Sequence, residues 1–218
     1  MIYLMRHGET DWNKERRIQG STDIPLNKFG VHLARVTAHA LEEIIHFDRC
    51  YSSPLSRAVR TAEIVISEQH NPPEIILEKD LRELSFGELE GKSILEGEIE
   101  ELDVLFKNPS EYRPSSGGET LEELDKRTWN VFLNIINNPK NFDKNVLITA
   151  HGAVIASILN HIRDAGYYND FWGNGVPRNC ALTKISTEDE GIKIIKENVI
   201  FYDARQDWVD ELKNKYGK

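Results

Sequence analysis

Two histidines stand directly before a glycine, each at the end of an apolar run. Ile2-Tyr3-Leu4-Met5 leads through Arg6 into His7-Gly8, and Val146-Leu147-Ile148-Thr149 leads through Ala150 into His151-Gly152. A third run, Arg49-Cys50-Tyr51-Ser52, leads into Ser53-Pro54-Leu55-Ser56-Arg57. These residue types suit phosphoryl transfer. A neutral imidazole is a good nucleophile toward phosphorus, provided an acceptor holds its other ring nitrogen. Arginines such as Arg6 and Arg57 offer forked donors to phosphate oxygens, and a protonated His151 would add a third positive group. Such a clamp works by position and electrostatics and does not itself require a metal. A leaving alkoxide needs a proton, for which Glu83 in Leu81-Arg82-Glu83-Leu84 is the candidate. The charge of a bound phosphate opposes ionisation of a nearby carboxyl group. The same group can then take a proton from the water that cleaves the phosphohistidine.

Residues so far apart meet only if the elements carrying them share an edge. Ile2–Met5, Phe47–Ser52, Ile75–Leu77, Val146–Thr149, Ala181–Ile185 and Ile192–Val199 read as strands. Gly30–Ile45, Leu55–Ile66 and Gly152–Asn160 read as helices, with Ser52 or Ser53 as a cap for the second and Pro54 in its first turn. The alternation predicts a three-layer α/β/α sandwich around a mostly parallel sheet. Strand ends that share the carboxyl edge of such a sheet would bring Arg6, His7, Arg57 and His151 together. Glycine after each histidine suits a sharp turn or a close backbone approach.

The stretch from about 88 to 138 reads as a helical insertion in a single 1–218 domain. Its helices are expected near Ile94–Phe106, with an acidic solvated face from Glu96 to Asp103, and near Thr120–Ile136. A charged tail follows Asp203 and reads as a surface segment with short-helix character. His32, His39 and His46 recur every seven residues. Seven helical residues span about 10 Å, too far for one metal ion, so these read as surface or half-buried side chains. Arg60 and Glu63 read as a helix-surface pair, and Glu119 as a favourable charge at a helix start.

The 218 residues carry a net charge of −9, with 29% charged and 39% hydrophobic residues. That balance argues against a broad nucleic-acid or membrane-binding face but leaves room for one cationic cleft. Cys50 and Cys180 are too few for a disulfide framework and lack zinc spacing, which points to buried or idle thiols. No signal-peptide or membrane-spanning pattern is present, so a cytoplasmic enzyme is expected.

Taken in order, these motifs resemble the histidine phosphatase superfamily, the phosphoglycerate-mutase-like enzymes. The resemblance rests on Arg6-His7-Gly8-Glu9-Thr10, Asp11-Trp12-Asn13, Gln19-Gly20 with Asp23, and Ser52-Ser53-Pro54-Leu55-Ser56-Arg57-Ala58. It continues through Leu81-Arg82-Glu83, Gly87 with Glu90-Gly91, Gly118-Glu119-Thr120, Arg127, Ala150-His151-Gly152 and Asn179. It implies that His7 is phosphorylated, that Arg6, Arg57 and His151 hold the phosphate, and that Glu83 is the proton donor. Asn13 and Gln19, with the backbone at Gly152, would line the substrate side, and no metal or other cofactor is implied. Mutases of this kind usually have Gly-Trp, arginine and tyrosine where this chain has Gly20-Ser21, Leu84 and Phe86. They also use paired arginines in a stretch where this chain has only Arg113. The chain is therefore more similar to the broad phosphatase branch, which implies hydrolysis of small phosphorylated metabolites. A cofactor-dependent phosphoglycerate mutase is the alternative, and a non-catalytic binding domain a lesser one. The sequence carries no expectation for oligomeric state.

Overall fold

The computed structural model describes residues 1–97, 99–163, 170–187 and 191–202. The charged tail after Asp203 lies outside the described residues. The strands are β1 (Ile2–Arg6), β2 (Arg49–Ser52), β3 (Ile75–Leu77), β4 (Val146–Ala150), β5 (Leu182–Ser186) and β6 (Lys193–Val199). They form one sheet in the order β3-β2-β4-β1-β5-β6. The pairs β3-β2, β2-β4 and β4-β1 are parallel, whereas β1-β5 and β5-β6 are antiparallel. The α/β class and the mostly parallel sheet are as the sequence leads one to expect.

Strands β1 and β4 are apolar almost throughout because helices cover both faces. Side chains alternate along a strand, so Ile2 and Leu4 point into one core and Tyr3 and Met5 into the other. The helices are α1 (Asp11–Lys14), α2 (Lys28–Glu42), α3 (Ser56–Ser67), α4 (Glu100–Lys107), α5 (Leu121–Ile136) and α6 (Gly152–Arg163). Leu41 of α2 with Ala62 and Val65 of α3 close one face of the sheet, and Phe132 of α5 with Ile155 and Ile158 of α6 close the other. Thus α5 is half of a covering layer, and Leu105 and Tyr112 from the earlier part of 88–138 are buried in the same core.

Two helix starts differ from the sequence expectation for a clear physical reason. The helix expected from Ile94 begins only at Glu100, because residues 94–97 turn and Gly97 has φ +154°. Its first-turn acids, Glu100, Glu101 and Asp103, then suit the positive end of the helix dipole. Helix α3 starts at Ser56, with no side-chain cap from its own N-cap residue, and Pro54 lies outside it. Asp23, from a separate loop, accepts from the Ser56 backbone N–H at 2.8 Å and its hydroxyl at 2.7 Å, which supplies the missing acceptor at the helix start. That leaves the Ser53 hydroxyl for another partner. Helix α5 begins as expected, with Thr120 and Glu123 forming a reciprocal capping box. No helix among the described residues is long and apolar enough to cross a membrane.

Candidate active site

Strand β1 delivers Arg6 and His7 beside the end of β4. Arg6 lies opposite Ala150 in the ladder, and the His7 N–H donates to the Ala150 carbonyl at 3.0 Å. The following backbone is clamped from two sides. Gly8 N–H donates to Thr61 Oγ1 at 2.9 Å, and Asn179 Nδ2 donates to the His7 carbonyl at 2.9 Å. A Cβ on Gly8 would lie 2.7 Å from the Gly30 carbonyl oxygen, so backbone would have to move to admit any side chain there.

The His7 ring is 2% exposed, and its Nδ1 lies 2.7 Å from the Gly8 carbonyl oxygen. A carbonyl only accepts, so Nδ1 carries the proton and Nε2 keeps its lone pair. Burial, reinforced by Arg57 and Arg6, holds His7 well below the usual histidine range. The ring is therefore neutral at physiological pH, as a nucleophile must be.

Arg57 lies in the first turn of α3 and is fully buried. Its Nη1 donates to the Thr22 carbonyl and its Nη2 to the Gly20 carbonyl, both at 2.7 Å. Burial lowers it to about 10, opposed by the Glu83 and Asp23 charges, so it stays cationic at neutral pH. Glu90 braces the loop that receives Arg57. It accepts from the Ser21 N–H at 2.8 Å, the Thr22 N–H at 2.9 Å, the Phe86 N–H at 3.1 Å and both the Ser21 and Thr22 hydroxyls. Burial raises the Glu90 carboxyl, but these hydrogen bonds outweigh it and bring it below the usual range.

Arg6 Nη1 donates to the Pro177 carbonyl at 2.6 Å. The His151 ring centroid lies 5.2 Å from that of His7, and its Nε2 is 2.7 Å from Ser53 Oγ. Arg6 Nε, Arg57 Nε and His151 Nδ1 are buried and have no hydrogen-bond partner among the described residues. Buried polar groups normally have partners. Orphaned nitrogens on three residues around one neutral histidine make a cradle whose natural complement is a tetrahedral oxyanion. One expectation needs correction. His151 is fully buried, and this burial, with Arg57, His7 and Arg6 adding to it, holds the ring well below the usual histidine range. It is neutral at physiological pH and not a third cation.

Glu83 sits at the start of α6. Its two carboxyl oxygens lie 3.2 and 3.3 Å from the Ala153 N–H, and Oε1 also accepts from the Leu84 N–H at 3.0 Å. A Cβ on Gly152 would fall 3.6 Å from Glu83 Oε2 and 3.9 Å from Arg6 Nε. The bare backbone at Gly152 thus leaves the space between acid and arginine open. The Glu83 segment is held from behind by Arg127, which donates to the carbonyls of Asp80 and Arg82 at 2.7 Å and of Glu83 at 3.2 Å. Glu119 grips the same guanidinium through two bonds of 2.6 and 2.8 Å. Glu119 does more than favour a helix start.

Asn13 and Gln19 are occupied with the turn beside the site. Asn13 Oδ1 accepts from the Thr10 N–H at 3.2 Å, and Gln19 Oε1 accepts from the Thr10 hydroxyl at 2.8 Å. Asn179 Nδ2 approaches Asn13 Oδ1 at 3.5 Å while holding the His7 carbonyl. Arg60 is exposed and pairs with Glu63 at 2.9 Å. Phe171 is core, and Trp172 Nε1 donates to the Leu105 carbonyl at 3.0 Å. Burial pushes both Cys50 and Cys180 up to about 12, consistent with inert thiols. A cleft of about 660 Å³ opens beside Glu83, lined among others by Ser21, Arg82, Ser85, Lys126 and Asn130. Thr61, Glu90 and Ser53 are the supporting residues that spacing alone did not assign. Each works through one hydrogen bond or one carboxylate, and only the folded chain shows where those point.

Residues 2–200 match the family model described as the histidine phosphatase superfamily (branch 1). The chain is 38% identical over 161 residues to the uncharacterized phosphatase PhoE of Bacillus subtilis, covering 74% of this chain and 76% of that protein. It is 33% identical over 165 residues to phosphoglycerate mutase-like protein 4 of Arabidopsis thaliana, covering 74% and 70%. The fold is similar to the crystal structure of a mutant phosphoserine phosphatase from Entamoeba histolytica in complex with phosphoserine. The TM-score is 0.76 and the identity 25%, over 90% of this chain and 95% of that one.

Proposed function

Because the chain belongs to the histidine phosphatase superfamily, we propose that it is a phosphomonoesterase acting on small phosphorylated metabolites through a phosphohistidine on His7. The observation that carries this reading is the neutral His7 ring, with Nδ1 tied to the Gly8 carbonyl, close to Arg6, Arg57 and His151, each of which keeps a buried nitrogen without a partner among the described residues. His7 Nε2 attacks phosphorus, and the bond from phosphorus to the ester oxygen breaks. Arg6 and Arg57 balance the charge on the phosphoryl oxygens, and Glu83 gives its proton to the departing alkoxide. Water then attacks the phosphohistidine, the Glu83 carboxylate takes the water proton, and inorganic phosphate leaves with His7 neutral again. Asn13 and Gln19 shape the substrate side through Thr10.

Hydrolysis is favoured over return of the phosphoryl group to an organic acceptor by the state of Arg113. It is exposed, and its Nη1 is spent on the Ser110 and Tyr112 carbonyls at 3.3 and 2.8 Å. The cleft beside Glu83 is lined by polar and charged side chains, which suits hydrophilic leaving groups. The reading extends to a cytoplasmic enzyme whose partner is a free small molecule, with neither nucleic acid nor membrane involved. A panel of phosphomonoesters that includes phosphoserine, sugar phosphates and 3-phosphoglycerate tests it. Release of inorganic phosphate is expected. Rapid conversion of 3-phosphoglycerate to 2-phosphoglycerate with little phosphate released would overturn the hydrolytic reading.

A further inference from the structure

Ser53 was free to cap α3, yet its hydroxyl turns the other way, onto His151. The residue is fully buried at the end of β2. Its backbone N–H donates to the Thr149 carbonyl at 3.0 Å. Ser52 Oγ bonds the Ser53 carbonyl at 2.8 Å while accepting from Thr149 Oγ1 at 2.9 Å. Ser53 is thus pinned to the strand that carries His151, and its Oγ has little freedom.

A hydroxyl has one proton and two lone pairs. The Leu55 N–H occupies one lone pair of Ser53 Oγ at 3.3 Å, and His151 Nε2 lies 2.7 Å away. If the hydroxyl proton goes to Nε2, the Ser53 hydroxyl and Nε2 are both satisfied, and the neutral ring carries its own proton on Nδ1, which then is the one polar atom of this group left without a partner. In the reverse arrangement Nε2–H donates to Oγ. The buried hydroxyl proton then has no acceptor among the described residues, at a cost of about 1–3 kcal/mol. The first arrangement wins, and it directs an N–H from the one ring nitrogen that has no partner.

We infer that Ser53 is a positioning residue that locks His151 in the Nδ1–H tautomer, so that this N–H joins Arg6 Nε and Arg57 Nε as a third donor to the phosphoryl group. The inference deepens the proposed phosphatase reading and rests on it for its consequence in turnover. Its structural half stands without it. A neutral ring contributes to a developing phosphoryl charge only through the nitrogen that bears its proton, so the tautomer decides whether His151 helps or opposes catalysis.

The test is long-range proton–nitrogen NMR on the full chain labelled with ¹⁵N-histidine, with p-nitrophenyl phosphate kinetics alongside. His151 in the unmodified chain should show a protonated Nδ1 and an unprotonated Nε2. Ser53→Ala should shift the ring toward the Nε2–H tautomer and lower kcat on the order of 100-fold, as for loss of one preorganised donor, with KM and Tm little changed. Ser53→Thr, which keeps the hydroxyl, should restore the tautomer and most of kcat. An Nε2–H tautomer in the unmodified chain overturns the inference and needs no variant to fold. Retention of Nδ1–H, or of full kcat, in Ser53→Ala also overturns it. A chain that hydrolyses no phosphomonoester but shows the Nδ1–H tautomer, lost in Ser53→Ala, contradicts the proposed function and leaves the tautomer assignment standing.

Discussion

For a histidine to attack phosphorus near neutral pH, its ring must be uncharged and its free lone pair must face the substrate. Burial secures the first condition at His7, and the Gly8 carbonyl secures the second. The same burial has a measurable consequence for stability. Both His7 and His151 lie well below 6.5 when folded, whereas the unfolded rings titrate near that value. Between the folded values and 6.5 the unfolded chain therefore binds more protons, so stability is present above this window and lost as pH falls through it. Each ring should remove about 1.4 kcal/mol of unfolding free energy per pH unit in that window. Urea unfolding at pH 7.5, 6.5 and 5.5 measures the slope, and His151→Gln should reduce it by one ring's share. An unchanged slope in that variant would contradict a buried, neutral His151. The residue types were readable from sequence because the His-Gly pair recurs after two apolar runs and stands in an ordered set of motifs, whereas a single such pair is more often structural. The charge of His151 was not readable, since burial is a property of the fold. Nor was the use of Ser53, because a serine before a helix satisfies capping rules equally well.

At the scale of elements, the site exists because β1, β2 and β4 run parallel and end together. Apolar runs predicted β1 and β4 well, since both sheet faces are covered there and each run is nearly continuous. Element ends were less legible. The start of α4 depended on a turn around Gly97, and α3 takes its N-terminal acceptor from Asp23, a residue 33 positions away. The least legible part was the bracing between elements. Arg127 ties α5 to the Glu83 segment, and Glu119 fixes Arg127 in a pair whose side chains are only 18% and 16% exposed. Glu119→Gln should loosen that segment and cost about 3 kcal/mol of stability, as for a largely buried pair losing one partner. It should slow alkyl phosphates more than p-nitrophenyl phosphate, whose leaving group needs little protonation, in the same sense as Glu83→Gln. Equal losses on both substrates would show that Glu119 does not act through the proton donor. Denaturant unfolding and steady-state kinetics on the two substrates provide the readouts.

At the scale of the whole molecule, an acidic chain of net charge −9 keeps two arginines in one pocket at the sheet edge. The bulk charge disfavours polyanions at the general surface, while the two arginines concentrate positive charge beside His7. The three layers position that site. Strands β1 and β4 fix the two histidines, α3 fixes Arg57, and the start of α6 fixes Glu83. If the phosphoryl group passes through His7, it can be caught there. The protein is mixed with p-nitrophenyl phosphate, quenched in alkali, digested, and its phosphopeptides are located by mass spectrometry. The predicted result is an acid-labile, alkali-stable phosphoryl group on His7 that is absent, along with p-nitrophenol release, in His7→Ala. Undiminished p-nitrophenol release by His7→Ala, or a phosphoryl adduct on a different residue, would contradict it.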